Sequence, residues 1–190
     1  MTSNWVNYDF YPAYLVYPVI IFLAMFSETE ITNPIKRRAV AVFNDAYAAQ
    51  MSKDFDAAIK LYKKSIEIFP TAEAYTFLGW AYSFKGEYDL AIAECLAAIA
   101  VDSTFGNPYN DIGSYLIAKG NFYDCIRWFK MAMKAIRYEA RAFPHFNLAF
   151  VYEKRGKFLE AAKHYGLALQ EQPNYTQAHN ALRKLQEKLN

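Results

Sequence analysis

Three histidines and two cysteines are the residues best equipped for nucleophilic, acid–base or metal chemistry in this chain, and their spacing supports none of it. His145, His164 and His179 follow one another at intervals of 19 and 15 residues, outside any metal-ligand pattern, and read as surface or packing residues. Cys95 and Cys125 also lack metal-type spacing. They suit packing in a reducing compartment, with a disulfide between them as the alternative. Carboxylates such as Glu28, Glu30, Asp54 and Asp56 fall at segment ends and turns, where solvation or the positive end of a helix dipole accounts for them. There is no Gly-rich phosphate loop between a strand and a helix, and no nucleophile paired with a base. The expectation is a chain without catalysis, cofactor or resident metal.

Recognition by a surface is what remains, and composition bounds it. The 190 residues, 54% apolar and 18% aromatic, suffice for one ordinary domain with a buried core. Twenty-one Lys and Arg against nineteen Asp and Glu leave a net charge of +2, so no bulk field favours nucleic acid.

The elements that present such a surface recur. Gly86, Gly120 and Gly156, with Lys53 in the equivalent place of an earlier and degenerate unit, are separated by 33, 34 and 36 residues. Before each of these points runs a helix with apolar residues at three- and four-residue intervals, as at Tyr75, Leu78, Gly79 and Tyr82, and a second helix follows. Glycine at the junction stops the first helix by allowing a left-handed cap. Small residues recur where the two helices of a hairpin must approach: Ala46, Gly79, Gly113 and Ala149 in the first, Ala58, Ala91, Cys125 and Ala161 in the second. Half a helix later stand Tyr62, Phe129 and Tyr165, with Cys95 as the exception, then Ser65, Ala98, Ala132 and Ala168. Large and small residues alternating in this way are what interdigitated helices need. Stacked units of this period act through a surface, not a reaction centre.

From Arg38 to Tyr175 these residues resemble the tetratricopeptide-repeat family, most specifically in the second and fourth units. In the first unit Val42 and Asp45 replace the expected large apolar pair, as suits a terminal repeat with one unstacked face. The closing proline occurs as Pro70 and Pro173, with Ser103 and Arg137 in the other units. The resemblance implies an all-α, right-handed superhelical solenoid of about four helical hairpins over residues 36–175. A C-terminal capping helix over 176–190 and an apolar N-terminal arm over 1–35 flank it. The third junction, Ile136 to Pro144, is two residues longer than the standard period and is expected to extend a helix or loosen a turn. A similar lengthening appears in the pilotin-type repeat lipoproteins, which carry a lipid-modified N-terminal cysteine; this chain has no cysteine before Cys95, so the likeness is one of architecture.

In the resembled family the first helices line a concave face. Carried over residue by residue, this implies a groove of Phe43, Asn44, Tyr47 and Met51, then Thr76, Phe77, Trp80 and Phe84. It continues through Asn110, Asp111, Ser114 and Ile117 to Phe146, Asn147, Phe150 and Lys154. Such a groove suits an apolar or aromatic partner segment, with Phe77, Trp80, Phe84, Phe146 and Phe150 as anchors and Asn110 and Asn147 as polar registers. Phe43, Thr76, Asn110 and Phe146 stand where a carboxylate clamp would need cations, which disfavours that mode. An aromatic stripe at helical spacing is also what plain interrepeat packing produces. The helix Ala91–Val101, almost devoid of charge, invites coverage by a partner or by the arm; an exposed alanine-rich face is the alternative.

The arm itself holds the apolar run Tyr11–Phe26, followed by Lys36, Arg37 and Arg38. Sixteen helical residues reach only about 24 Å against roughly 30 Å of hydrocarbon, and Pro12 and Pro18 interrupt the helix a span would need. It is read as an arm packed on the repeats or inserted into a partner, as a membrane span or interfacial anchor, or as a processed leader.

The functional expectation is a non-catalytic protein–protein interaction adaptor, cytoplasmic, or at the cytoplasmic face of a membrane. The alternative is a structural accessory subunit of a membrane-associated complex held through residues 1–35. Self-association, with the arm of one copy in the groove of another, is a third reading.

Overall fold

The computed structural model describes residues 33–189, and the expectations for the apolar run Tyr11–Phe26 lie outside the described residues. Nine helices and no strands are found among the described residues, so the fold is all-α. The chain divides into two compact units, one ending at Asp102 and the other beginning at Ser103. Unit 1 contains the hairpins α1 (Pro34–Met51) with α2 (Phe55–Ile68) and α3 (Ala72–Phe84) with α4 (Tyr88–Val101). Unit 2 contains α5 (Asn107–Ala118) with α6 (Cys125–Lys134), α7 (Ala142–Lys154) with α8 (Phe158–Glu171), and the final helix α9 (Thr176–Leu189). No described helix is long and apolar enough to cross a membrane.

Short polar side chains start three of the four helices of unit 1. The Asn33 carboxamide accepts from the backbone N–H of Ile35 at 2.9 Å and of Lys36 at 3.3 Å, and Pro34 supplies a first-turn φ at no cost in hydrogen bonds. Asp54 caps α2 through the Ala57 N–H, and Thr71 caps α3 through the Ala74 N–H. All four hairpin turns close in the same way. The N–H of Asp54, Glu87, Asn121 and Lys157 donates to the carbonyl five residues back, at 2.9, 3.1, 2.8 and 2.8 Å. The residue before each is left-handed: Gly86, Gly120 and Gly156 at φ 78°, 79° and 72°, and Lys53 at 66°. Lys53 therefore adopts the glycine conformation without being glycine, at a steric cost the other turns avoid.

Within each hairpin the small residues sit at the helix contacts. Ala46, Ala58, Ala91, Cys125, Ala149 and Ala161 are all fully buried. A Cβ on Gly79 would come within 2.9 Å of the Ala91 carbonyl oxygen, and one on Gly113 within 2.5 Å of the Phe129 ring. Tyr62, Phe129 and Tyr165 fill the layer beyond. Burying a side chain of that size stabilises the fold by about 1.5–3 kcal/mol. In unit 2, Cys125 and Phe129 of α6 form one cluster with Leu148 and Val151 of α7; Ala149, Ala161 and Tyr165 form another with Leu185 of α9.

The long third junction extends no helix. α6 ends at Lys134, and the chain then runs extended past Phe105, with Arg137 N–H donating to the Thr104 carbonyl and Gly106 N–H to the Arg137 carbonyl at 2.9 and 3.0 Å. The Arg141 guanidinium satisfies the carbonyls of Met133 and Ala135 at the open end of α6. Tyr138 packs on Gly106, where any Cβ would overlap its ring. The extra residues thus form a small two-point strap.

On α4 the charge-poor face is solvent-facing. Leu90, Leu96 and Val101 are each about half exposed.

Candidate interaction surface

In unit 1 the first helices α1 and α3 bring most of the predicted aromatics into one network. Phe77 is its centre, with ring centroids 5.2 Å from Phe43, 5.8 Å from Tyr47, 6.1 Å from Tyr62 and 5.3 Å from Trp80. The contacts to Phe43, Tyr47 and Trp80 are edge-on, the arrangement that the ring quadrupoles favour. Trp80 in turn lies 6.3 Å from Phe84, which stacks on Phe55 at 4.9 Å and 11°. Burial divides this set. Phe43, Phe77 and Trp80 are inside, whereas Tyr47 and Phe84 are half-buried and Asn44 is exposed. Of α3 only Tyr75 and Phe84 are not fully buried, so this helix is enclosed on nearly every side. Burial raises the Tyr47 phenol pKa, and that of Tyr62 further, with Tyr47 adding to it.

The equivalent helices of unit 2, α5 and α7, meet through polar groups. The Asn147 carboxamide donates to Asn110 Oδ1 at 3.2 Å and to Ser114 Oγ at 3.4 Å, and Ser114 Oγ donates to the Asn110 carbonyl at 3.0 Å. Asn110, Asp111 and Asn147 are all buried. Burial pushes the Asp111 carboxyl up to about 7, against the downward pull of its hydrogen bond from Asn110. Two half-buried aromatics flank the cluster. Phe146 leans on Tyr165 and Tyr175 at 5.5 and 5.1 Å, and Phe150 lies 6.4 Å from Phe122 with Lys154 Nζ 5.2 Å above its ring.

Residue chemistry in the rest of the described chain is quiet, with one exception. Three or more His, Cys, Asp or Glu side chains nowhere converge as a metal cluster among the described residues. Both cysteines are buried, and burial pushes the Cys125 thiol up to about 11, which suppresses the reactive thiolate. The exception is His145 and His164, which spacing alone had kept apart and which touch across the fourth hairpin. Register was the signal that could have joined them, since they occupy the places held by Tyr75 and Glu94 in the second hairpin.

With the hairpins, their shared turns and their packing described, the chain carries tetratricopeptide repeats and is an all-α repeat solenoid by fold class. The tetratricopeptide-repeat family model matches residues 72–105 and 142–175, the second and fourth hairpins, where the sequence pattern is most regular. Small glutamine-rich tetratricopeptide repeat-containing protein 2 of Mycosarcoma maydis is 30% identical over 87 residues, 45% of this chain. Its namesake in Saccharomyces cerevisiae is 29% identical over 86 residues, again 45% of this chain. The match spans only 25% of the length of each of these relatives. Among solved structures, Pseudomonas aeruginosa pilF is similar with a TM-score of 0.77 at 20% identity, over 82% of this chain and 71% of its own. MamA follows with 0.65 at 22%, over 78% and 81%. YrrB, described as a TPR protein with an unusual peptide-binding site, gives 0.63 at 15%, over 76% and 74%. At these identities the likeness is one of fold.

Proposed function

We propose that this chain is a protein–protein interaction adaptor that holds an apolar or aromatic segment of its partner against its first helices, without catalysis. Proteins of this repeat class are typically non-catalytic interaction scaffolds, and YrrB, similar in fold, is described by its peptide-binding site. The observation that carries the reading is the state of Tyr47 and Phe84. Each is half-buried, and each is fixed from behind by a buried ring, Phe77 for Tyr47 and Trp80 for Phe84. Aromatic groups already held in place lose little freedom on binding, so more of their contact area is converted to affinity.

In this reading Phe43, Phe77 and Trp80 act mainly as the support, and the half-buried Tyr47, Phe84, Phe146 and Phe150 meet the partner. Asn110 and Asn147 hold one another, and carboxamides, with both a donor and an acceptor, suit an extended backbone. The test is selection of a random-peptide library on the full chain. Enrichment of peptides with large apolar or aromatic residues is the expected result; enrichment of acidic, basic or polar sequences instead overturns the reading.

A further inference from the structure

His145 of α7 and His164 of α8 place their Nδ1 atoms 3.2 Å apart, with ring centroids at 5.4 Å and planes inclined by 31°. Both rings are half-buried, and the Tyr152 ring, 5.4 Å from His164, limits how that imidazole can turn. Two rings in this relation have two ways to be stable. One Nδ1–H donates to the other nitrogen, or both Nδ1 lone pairs are offered to a third atom.

We propose that His145 and His164 form a two-imidazole site for a late first-row divalent metal ion such as Zn2+, with water completing the coordination. Imidazole nitrogens bound tetrahedrally at about 2.0–2.1 Å lie about 3.4 Å from each other. The observed separation is within a few tenths of an ångström of that. Metal ligation needs neutral imidazole, and burial lowers the pKa of both residues. The charged groups around the pair set its strength. Glu171 of α8 acts favourably on His145, whereas Lys163 of α8 and Lys130 of α6 act on His164 and oppose added positive charge. Two protein ligands with two opposing ammonium groups make a weaker site than a four-ligand structural zinc centre. Occupied, it would tie α7 to α8 and stiffen the last hairpin.

Titration of the full chain with ZnCl2 by calorimetry at pH 7.5 in a non-chelating buffer tests the site. One-site binding is expected, weakened at least tenfold by His145→Ala or His164→Ala and unchanged by His179→Ala, whose ring instead bonds the Pro173 carbonyl. Binding that survives in the His145→Ala/His164→Ala double variant, or no binding by the parent chain, overturns the proposal. Imidazole 15N resonances of the unaltered protein give a reading independent of variant folding: both Nδ1 signals must move with Zn2+, and if they stay in place the site does not exist.

Discussion

Hairpins two and three solve the same packing problem in opposite ways. In unit 1, Gly79 of α3 lets the backbone of α4 come close, and small Cys95 sits beside it; in unit 2, Gly113 of α5 makes room for the whole ring of Phe129. The facing chemistry differs as well, aromatic between α1 and α3, carboxamide and hydroxyl between α5 and α7. A shared period therefore fixes where helices touch, and leaves the residues between contact positions free to set what each unit offers.

If the notch over Gly113 is filled by Phe129, removing that ring is the most damaging change. Phe129→Ala is expected to cost about 3–5 kcal/mol in denaturant unfolding. Cys95→Ala, the corresponding truncation in unit 1, is expected to cost about 1 kcal/mol. Equal losses would break the contrast.

The polar character of unit 2 predicts a pH signature. The carboxyl of folded Asp111 titrates near 7, above its ordinary value of 3.8, so between these pH values the folded chain binds the extra proton. Stability contributed by this group is full below about pH 4 and is lost as pH rises through 7. Asp111→Asn is therefore expected to match the parent in acid and to exceed it at pH 8 by roughly 1–3 kcal/mol, measured as paired urea midpoints across pH. A difference that does not change with pH would contradict the buried carboxyl.

The smallest effect lies at the turns. Lys53 is the non-glycine among four left-handed turn residues, and Lys53→Gly is expected to stabilise by about 0.5–1 kcal/mol, read from the thermal midpoint. Gly86→Ala should shift the midpoint the other way.

Much of this architecture was readable because helix contacts impose residue size at fixed intervals. The alignment of Lys53 with three glycines anticipated its backbone, and the small and large series anticipated the buried layers. The strap at Thr104 and Arg137 was not readable, since pairing across a whole hairpin leaves no local period. Aromatic spacing placed Phe43, Phe77 and Trp80 on the right helices but could not separate them from the half-buried Tyr47 and Phe84, because enclosure depends on neighbours distant in sequence. The histidine contact was missed for the same reason.

Half-buried aromatics on a rigid support are what we propose meets the partner. The most direct test is the affinity, by calorimetry, of a library-selected apolar peptide for the parent chain and for Tyr47→Ala/Phe84→Ala, with circular dichroism confirming the fold. A loss of at least about tenfold with helicity intact is expected. An unchanged affinity in the folded double variant would contradict it.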